Sequence, residues 1–65
     1  MKKYTFNEKY KICINKDGGI FDYYIEKKGY GDLYWICGLT KEIEKFPQHL
    51  IEHHIKDAKK RKFWQ

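Results

Sequence analysis

Two runs of alternating apolar and polar residues, Tyr10-Lys-Ile-Cys-Ile-Asn15 and Ile20-Phe-Asp-Tyr-Tyr-Ile-Glu-Lys27, stand on either side of Lys16-Asp17-Gly18-Gly19. A period of two places successive side chains on opposite faces of a strand, and Asp-Gly between two such runs is a strong signal for a tight hairpin. With Asp17-Gly18 at the centre of the turn, Ile14 faces Phe21, Ile12 faces Tyr23 and Tyr10 faces Ile25. Every pair on that face is apolar. On the other face Cys13 meets Asp22, Lys11 meets Tyr24, and Lys9 meets Glu26 as an opposite-charge pair. A slip of one residue would set Ile against Asp, so pattern and turn select the same faces.

Leu33-Tyr-Trp-Ile-Cys-Gly38 continues as a third strand. A three-residue loop, Gly29-Tyr30-Gly31, pairs Lys28 with Asp32 and predicts Ile25 against Trp35 and Tyr23 against Cys37 on the apolar face. Tyr24 then meets Ile36, and Glu26 meets Tyr34, on the opposite face. A four-residue loop would exchange these faces. Tyr4-Thr5-Phe6 is either a short extra strand or an N-terminal flap.

From Thr40 the apolar spacing becomes helical, with Ile43, Leu50, Ile51, His54 and Ala58 on one side and Phe46 and Ile55 at its edges. Thr40 stands where an N-cap would. Pro47 interrupts this pattern because a proline inside a helix removes a hydrogen bond and clashes with the preceding turn. The helix is therefore either kinked there or restarted near Pro47. The expected architecture is α+β: a three-stranded antiparallel β-meander packed against a C-terminal α-helix (βββα), in a single domain spanning residues 1–65.

At 65 residues the chain buries only about 60% of its unfolded surface, which leaves a thin core. Its 42% hydrophobic content nevertheless argues against disorder. The absence of serine excludes Ser-His-Asp chemistry. Valine is also absent, alanine occurs once, and Arg61 is the sole arginine, an Ile/Lys bias expected of an AT-rich genome. No apolar run approaches the ~20 residues of a membrane span, and Met1-Lys2-Lys3 does not lead into an apolar signal core. The expectation is a soluble, unprocessed, cytoplasmic protein with no membrane partner.

Chemistry-bearing clusters are few. Cys37 followed by His49 and His53, with Cys13, imitates a Cys₂His₂ zinc set, but the short Cys-x₂₋₄-Cys knuckle is missing. The expected register also sends Cys13 to the solvent face and Cys37 beneath the helix. Cys37 and His54 could in principle form a nucleophile pair, yet nothing else supplies an oxyanion hole. Gly18-Gly19 and Gly29/Gly31 read as turn glycines. The expectation is a non-enzymatic protein with no catalytic residues, no metal and no cofactor.

The net charge of +5 is uneven along the chain. Residues 1–55 carry nine lysines against eight carboxylates, whereas residues 56–65 carry five basic side chains against Asp57 alone. Lys59-Lys60-Arg61-Lys62-Phe63-Trp64-Gln65 therefore reads as a basic-aromatic C-terminal tail over residues 59–65, which either docks on a partner or folds Phe63 and Trp64 back to cap the core edge. Nine of the twelve aromatic residues precede position 36, and one helix can cover only one sheet face. The open face would carry Tyr24, Tyr34, Ile36, Ile20 and the stems of Lys9 and Lys11.

The face could be covered by the N-terminal segment, pair with a second copy, or bind a partner. Lys11, Tyr24, Tyr30, Tyr34, Ile36, Lys59, Lys60, Arg61, Lys62 and Trp64 are the expected partner-binding residues. The first expectation is a small accessory protein, of phage or mobile-element type, that docks on and occludes a host protein, one that handles nucleic acid. The alternative is direct nucleic-acid binding, with tyrosines stacking and lysines on phosphates.

Overall fold

A computed structural model describes residues 1–65 as four strands and one helix: β1 (Lys2–Thr5), β2 (Tyr10–Asp17), β3 (Ile20–Lys27), β4 (Leu33–Leu39) and α1 (Gln48–Lys60). The strands form one antiparallel sheet in the order β1-β2-β3-β4, with α1 on one face. The α+β class is as expected, but the sheet has four strands, not three. The N-terminal segment pairs with the free edge of β2, setting Tyr4 against Ile12, and does not fold over the open face. Asn7 makes the reversal: its Oδ1 accepts the backbone N–H groups of Lys9 and Tyr10, both at 2.9 Å. Such Asx turns substitute a side chain for a backbone turn.

The β2–β3 hairpin turns on Gly18-Gly19, because Asp17 pairs with Ile20. Ile14 therefore faces Tyr23, Ile12 faces Ile25 and Lys11 faces Glu26, two residues away from the expected register. A shift of two preserves every side chain's face. Tyr10, Ile12, Ile14, Tyr23 and Ile25 are accordingly all buried in the core. Gly18 has φ 64°, a value that favours glycine and leaves Asp17 free to close the ladder.

Between β3 and β4 the register changes within the ladder. Tyr23 pairs with Cys37 as expected, but Tyr24 pairs with Trp35, leaving Ile36 as an extra residue in β4. This β-bulge exchanges faces for the first half of the strand. Tyr34 and Ile36, expected on the open face, lie on the core side, and Ile36 is buried. Trp35, expected in the core, is 54% exposed on the open face.

Residues 40–47 are not helical, and Thr40 caps nothing; α1 opens at Pro47, whose carbonyl accepts the N–H groups of Leu50 and Ile51 at 3.1 Å. Pro47 offers no N–H to the carbonyl of Ile43, and the residue before a proline avoids helical geometry. Two tyrosine hydroxyls complete the bonding of this segment. Tyr23 accepts the Ile43 N–H at 2.8 Å and donates to the Ile43 carbonyl at 3.4 Å; Tyr4 accepts the Phe46 N–H at 2.9 Å. Helix α1 then buries Ile51, Ile55 and Ala58 against the sheet.

Of the two courses expected for the C-terminal tail, the structure takes the one that folds back, so Trp64 is not free for a partner. Lys62 N–H bonds to Lys59 O at 3.0 Å and Phe63 N–H to Ala58 O at 2.9 Å, the paired bonds of a Schellman ending, with Lys62 at φ 55° in place of the usual glycine. Trp64 consequently returns to the core, 8% exposed, with its ring 5.5 Å from Tyr10 and 5.9 Å from Tyr34. Its Nε1 donates to the Asp32 carbonyl at 3.1 Å. Two substitutions test this ending by denaturant unfolding. Lys62→Gly should stabilise by about 1 kcal/mol, since a left-handed residue with a Cβ costs about that much, while Trp64→Ala should cost about 3–5 kcal/mol. A Trp64→Ala change below about 1 kcal/mol would place Trp64 outside the core.

Candidate functional site

The open face is built from the outward residues of all four strands, with Cys13, Tyr24 and Trp35 aligned across β2, β3 and β4. Trp35 is its most exposed large side chain, and its Nε1 donates to Asp22 Oδ1 at 3.3 Å. Gly38 leaves room beside it. A Cβ there would stand 3.1 Å from both Asp22 Oδ1 and Ile20 Cγ2, and 3.9 Å from the indole. Ile20, itself 40% exposed, and half-buried Tyr24 extend the apolar patch.

Cys13 lies on this face as expected but is fully buried. Lys3 and Glu26, on the strands flanking β2, form an ion pair at 3.1 Å that crosses above it. Burial pushes the Cys13 and Cys37 thiols above their ordinary pKa. Both are thereby disfavoured as thiolate nucleophiles. Cys37 and His54 make no hydrogen bond to one another; burial, with His53 beside it, holds the His54 imidazole below its ordinary pKa. No three His, Cys, Asp or Glu side chains converge as a metal site would require, and no helix is long and apolar enough to cross a membrane.

The structure divides the ten expected partner-binding residues. Lys11 and Tyr24 stand on the open face, and Tyr30 is exposed in the β3–β4 loop with Lys27 Nζ 4.9 Å above its ring. Lys59 and Lys60 close α1 and point to solvent; Arg61 is held by Asp57 at 3.1 Å, and Lys62 forms the left-handed turn. Tyr34, Ile36 and Trp64 belong to the covered side. A three-residue β3–β4 loop would turn Trp35 inward; the structure follows the four-residue alternative up to Trp35, which puts it outward. No family model, curated protein or solved structure matches the chain.

Tyr34 has a structural task. Its hydroxyl donates to Asp57 Oδ2 at 2.6 Å, tying β4 to α1, and its ring meets Phe63 edge-on at 4.9 Å. That hydrogen bond holds the Asp57 carboxyl below its ordinary range, with Arg61 assisting. A carboxyl whose pKa is lower in the folded state stabilises above the ordinary carboxylate range, and that contribution is lost as pH falls through the folded value. Tyr34→Phe should therefore melt below the wild type at neutral pH, and the difference should narrow toward about pH 3. A difference independent of pH would assign the effect to packing alone.

Proposed function

We propose that the protein is a non-enzymatic binding domain that docks on a partner protein through its open sheet face. The observation that carries this reading is Trp35, 54% exposed on an uncovered sheet yet oriented by its hydrogen bond to Asp22. A large aromatic side chain held in place loses little freedom on binding, and Trp and Tyr dominate the energetic centres of interfaces. Ile20 and Tyr24 would form the apolar surround, with Lys11, Asn15 and Thr5 at the polar rim. Tyr34, Ile36 and Trp64 have no part in the contact. The phage or mobile-element setting rests on the Ile/Lys-rich, valine-free composition.

Trp35→Ala separates this role from a structural one. Because the side chain is more than half exposed, its loss should change stability by less than about 1 kcal/mol. Its removal from an interface centre should weaken partner binding by at least about 2 kcal/mol. In affinity capture from nuclease-treated bacterial lysate, a protein retained stoichiometrically by the wild type should be lost with the variant. Identical retention by both, or capture that collapses on nuclease treatment, would contradict the proposal.

A further inference from the structure

The near-neutral balance of residues 1–55 conceals a local concentration of lysines. Toward the β2–β3 turn the charges are mixed: Asp17, Asp22 and Glu42 stand with Lys2 and Lys16, and Glu42 is paired with Lys2 at 2.7 Å. At the opposite end of the sheet, the β1–β2 turn and the β3–β4 loop enclose an open cleft of about 590 Å³ lined by Lys9, Lys11, Lys27 and Lys28. Its carboxylates are Glu8 and Glu26, and Glu26 is already engaged by Lys3 from outside the lining. Lys9 also borders a second groove, about 370 Å³, shared with Lys56 and Lys59 of α1 and with Glu52. Six lysines thus form one continuous band, and none of them makes an ion pair.

The cleft offers more than charge. Lys28 N–H is used on Lys9 O at 2.7 Å and Tyr30 N–H on Lys27 O at 3.0 Å, which fixes the loop against the β2 entry. The amides of Gly29 and Gly31 donate to nothing in the chain, and a Cβ added at either glycine would meet nothing within 4 Å. Free amides beside lysines suit phosphate oxygens, and the exposed Tyr30 ring offers a stacking surface.

From this geometry we infer that the band binds the sugar-phosphate backbone of single-stranded nucleic acid. Its length beyond a single cleft calls for a polyanion instead of one phosphate group. A concave lining can admit nucleotide-sized groups, whereas a duplex presents its phosphates on a convex surface. An anionic membrane is a poorer fit, since membrane-surface sites project a broad apolar face among their lysines, whereas Tyr30 is the single large apolar side chain exposed in this lining. Lys11 borders both this band and the Trp35 face, but Trp35 takes no part in the band, so the inference does not rest on the proposed docking contact.

The test is fluorescence anisotropy with a labelled single-stranded DNA of about 12 nucleotides, titrated across a salt series. The full chain should bind at low salt, with log affinity falling by about 0.7 per phosphate contact for each unit of log salt. Lys9→Gln/Lys27→Gln/Lys28→Gln should flatten that slope by about 2 while the circular dichroism spectrum is unchanged. The corresponding triple arginine variant should retain the slope. Lys60→Gln/Lys62→Gln and Trp35→Ala should each leave it unaltered. Absence of binding at low salt would overturn the inference, as would an unchanged slope in the glutamine variant or a loss confined to Lys60→Gln/Lys62→Gln. Tighter binding to the matching duplex or to phosphatidylserine vesicles would overturn it as well.

Discussion

The register of β4 against β3 slips by one residue at Ile36, and the assignment of aromatic side chains to core or surface follows from that slip. Below it, Tyr34 turns toward α1, where its hydroxyl reaches Asp57 and its ring meets Phe63 and Trp64. Above it, Cys37 keeps the pairing with Tyr23 that a regular ladder would give. Trp35 is left outward beside Tyr24. A bulge adds one unpaired residue and rotates the side chains on one side of it, so a single insertion both closes the core and furnishes the open face.

Tyrosine hydroxyls do much of the joining between sheet and helix. A core this small cannot rely on buried apolar area alone, and the core-facing strand positions carry aromatic rings long enough to reach across the layer. Tyr23 and Tyr4 satisfy backbone groups of residues 43 and 46, where Pro47 prevents the helix from extending backward. Tyr34 holds the far end of α1. The same side-chain type that suggested an interface in the sequence is therefore, at three of these positions, the internal bracing of the fold.

What was legible followed local rules. Alternation selected the buried face of β2 and β3 correctly even though the hairpin turned one residue later than Asp17-Gly18, because a two-residue shift leaves the faces alone. Pro47 marked the start of α1. Three features depended on choices that the sequence leaves open. Asn7 held the signal for the β1–β2 turn, but a four-residue strand is too short for periodicity to declare. The β3–β4 connection admits loops of three or four residues with opposite consequences for Tyr34 and Trp35. The return of Trp64 requires a left-handed residue at Lys62, where helix endings ordinarily carry glycine. The lysine band was invisible for another reason: its members come from β2, β3, two loops and α1, and only folding brings them together.

One small scaffold thus carries two proposed surfaces, an apolar face centred on Trp35 and a basic band at the end of the sheet, and the first depends on how β4 is seated. Hydroxyl-radical footprinting of the free protein, read residue by residue by mass spectrometry, tests that seating most directly. The predicted result is rapid oxidation of Trp35, slower oxidation of half-buried Tyr34 and strong protection of Trp64. Protection of Trp35 with oxidation of Tyr34 would mean that the strand lies with its other face inward, and the proposed docking surface would be lost with it.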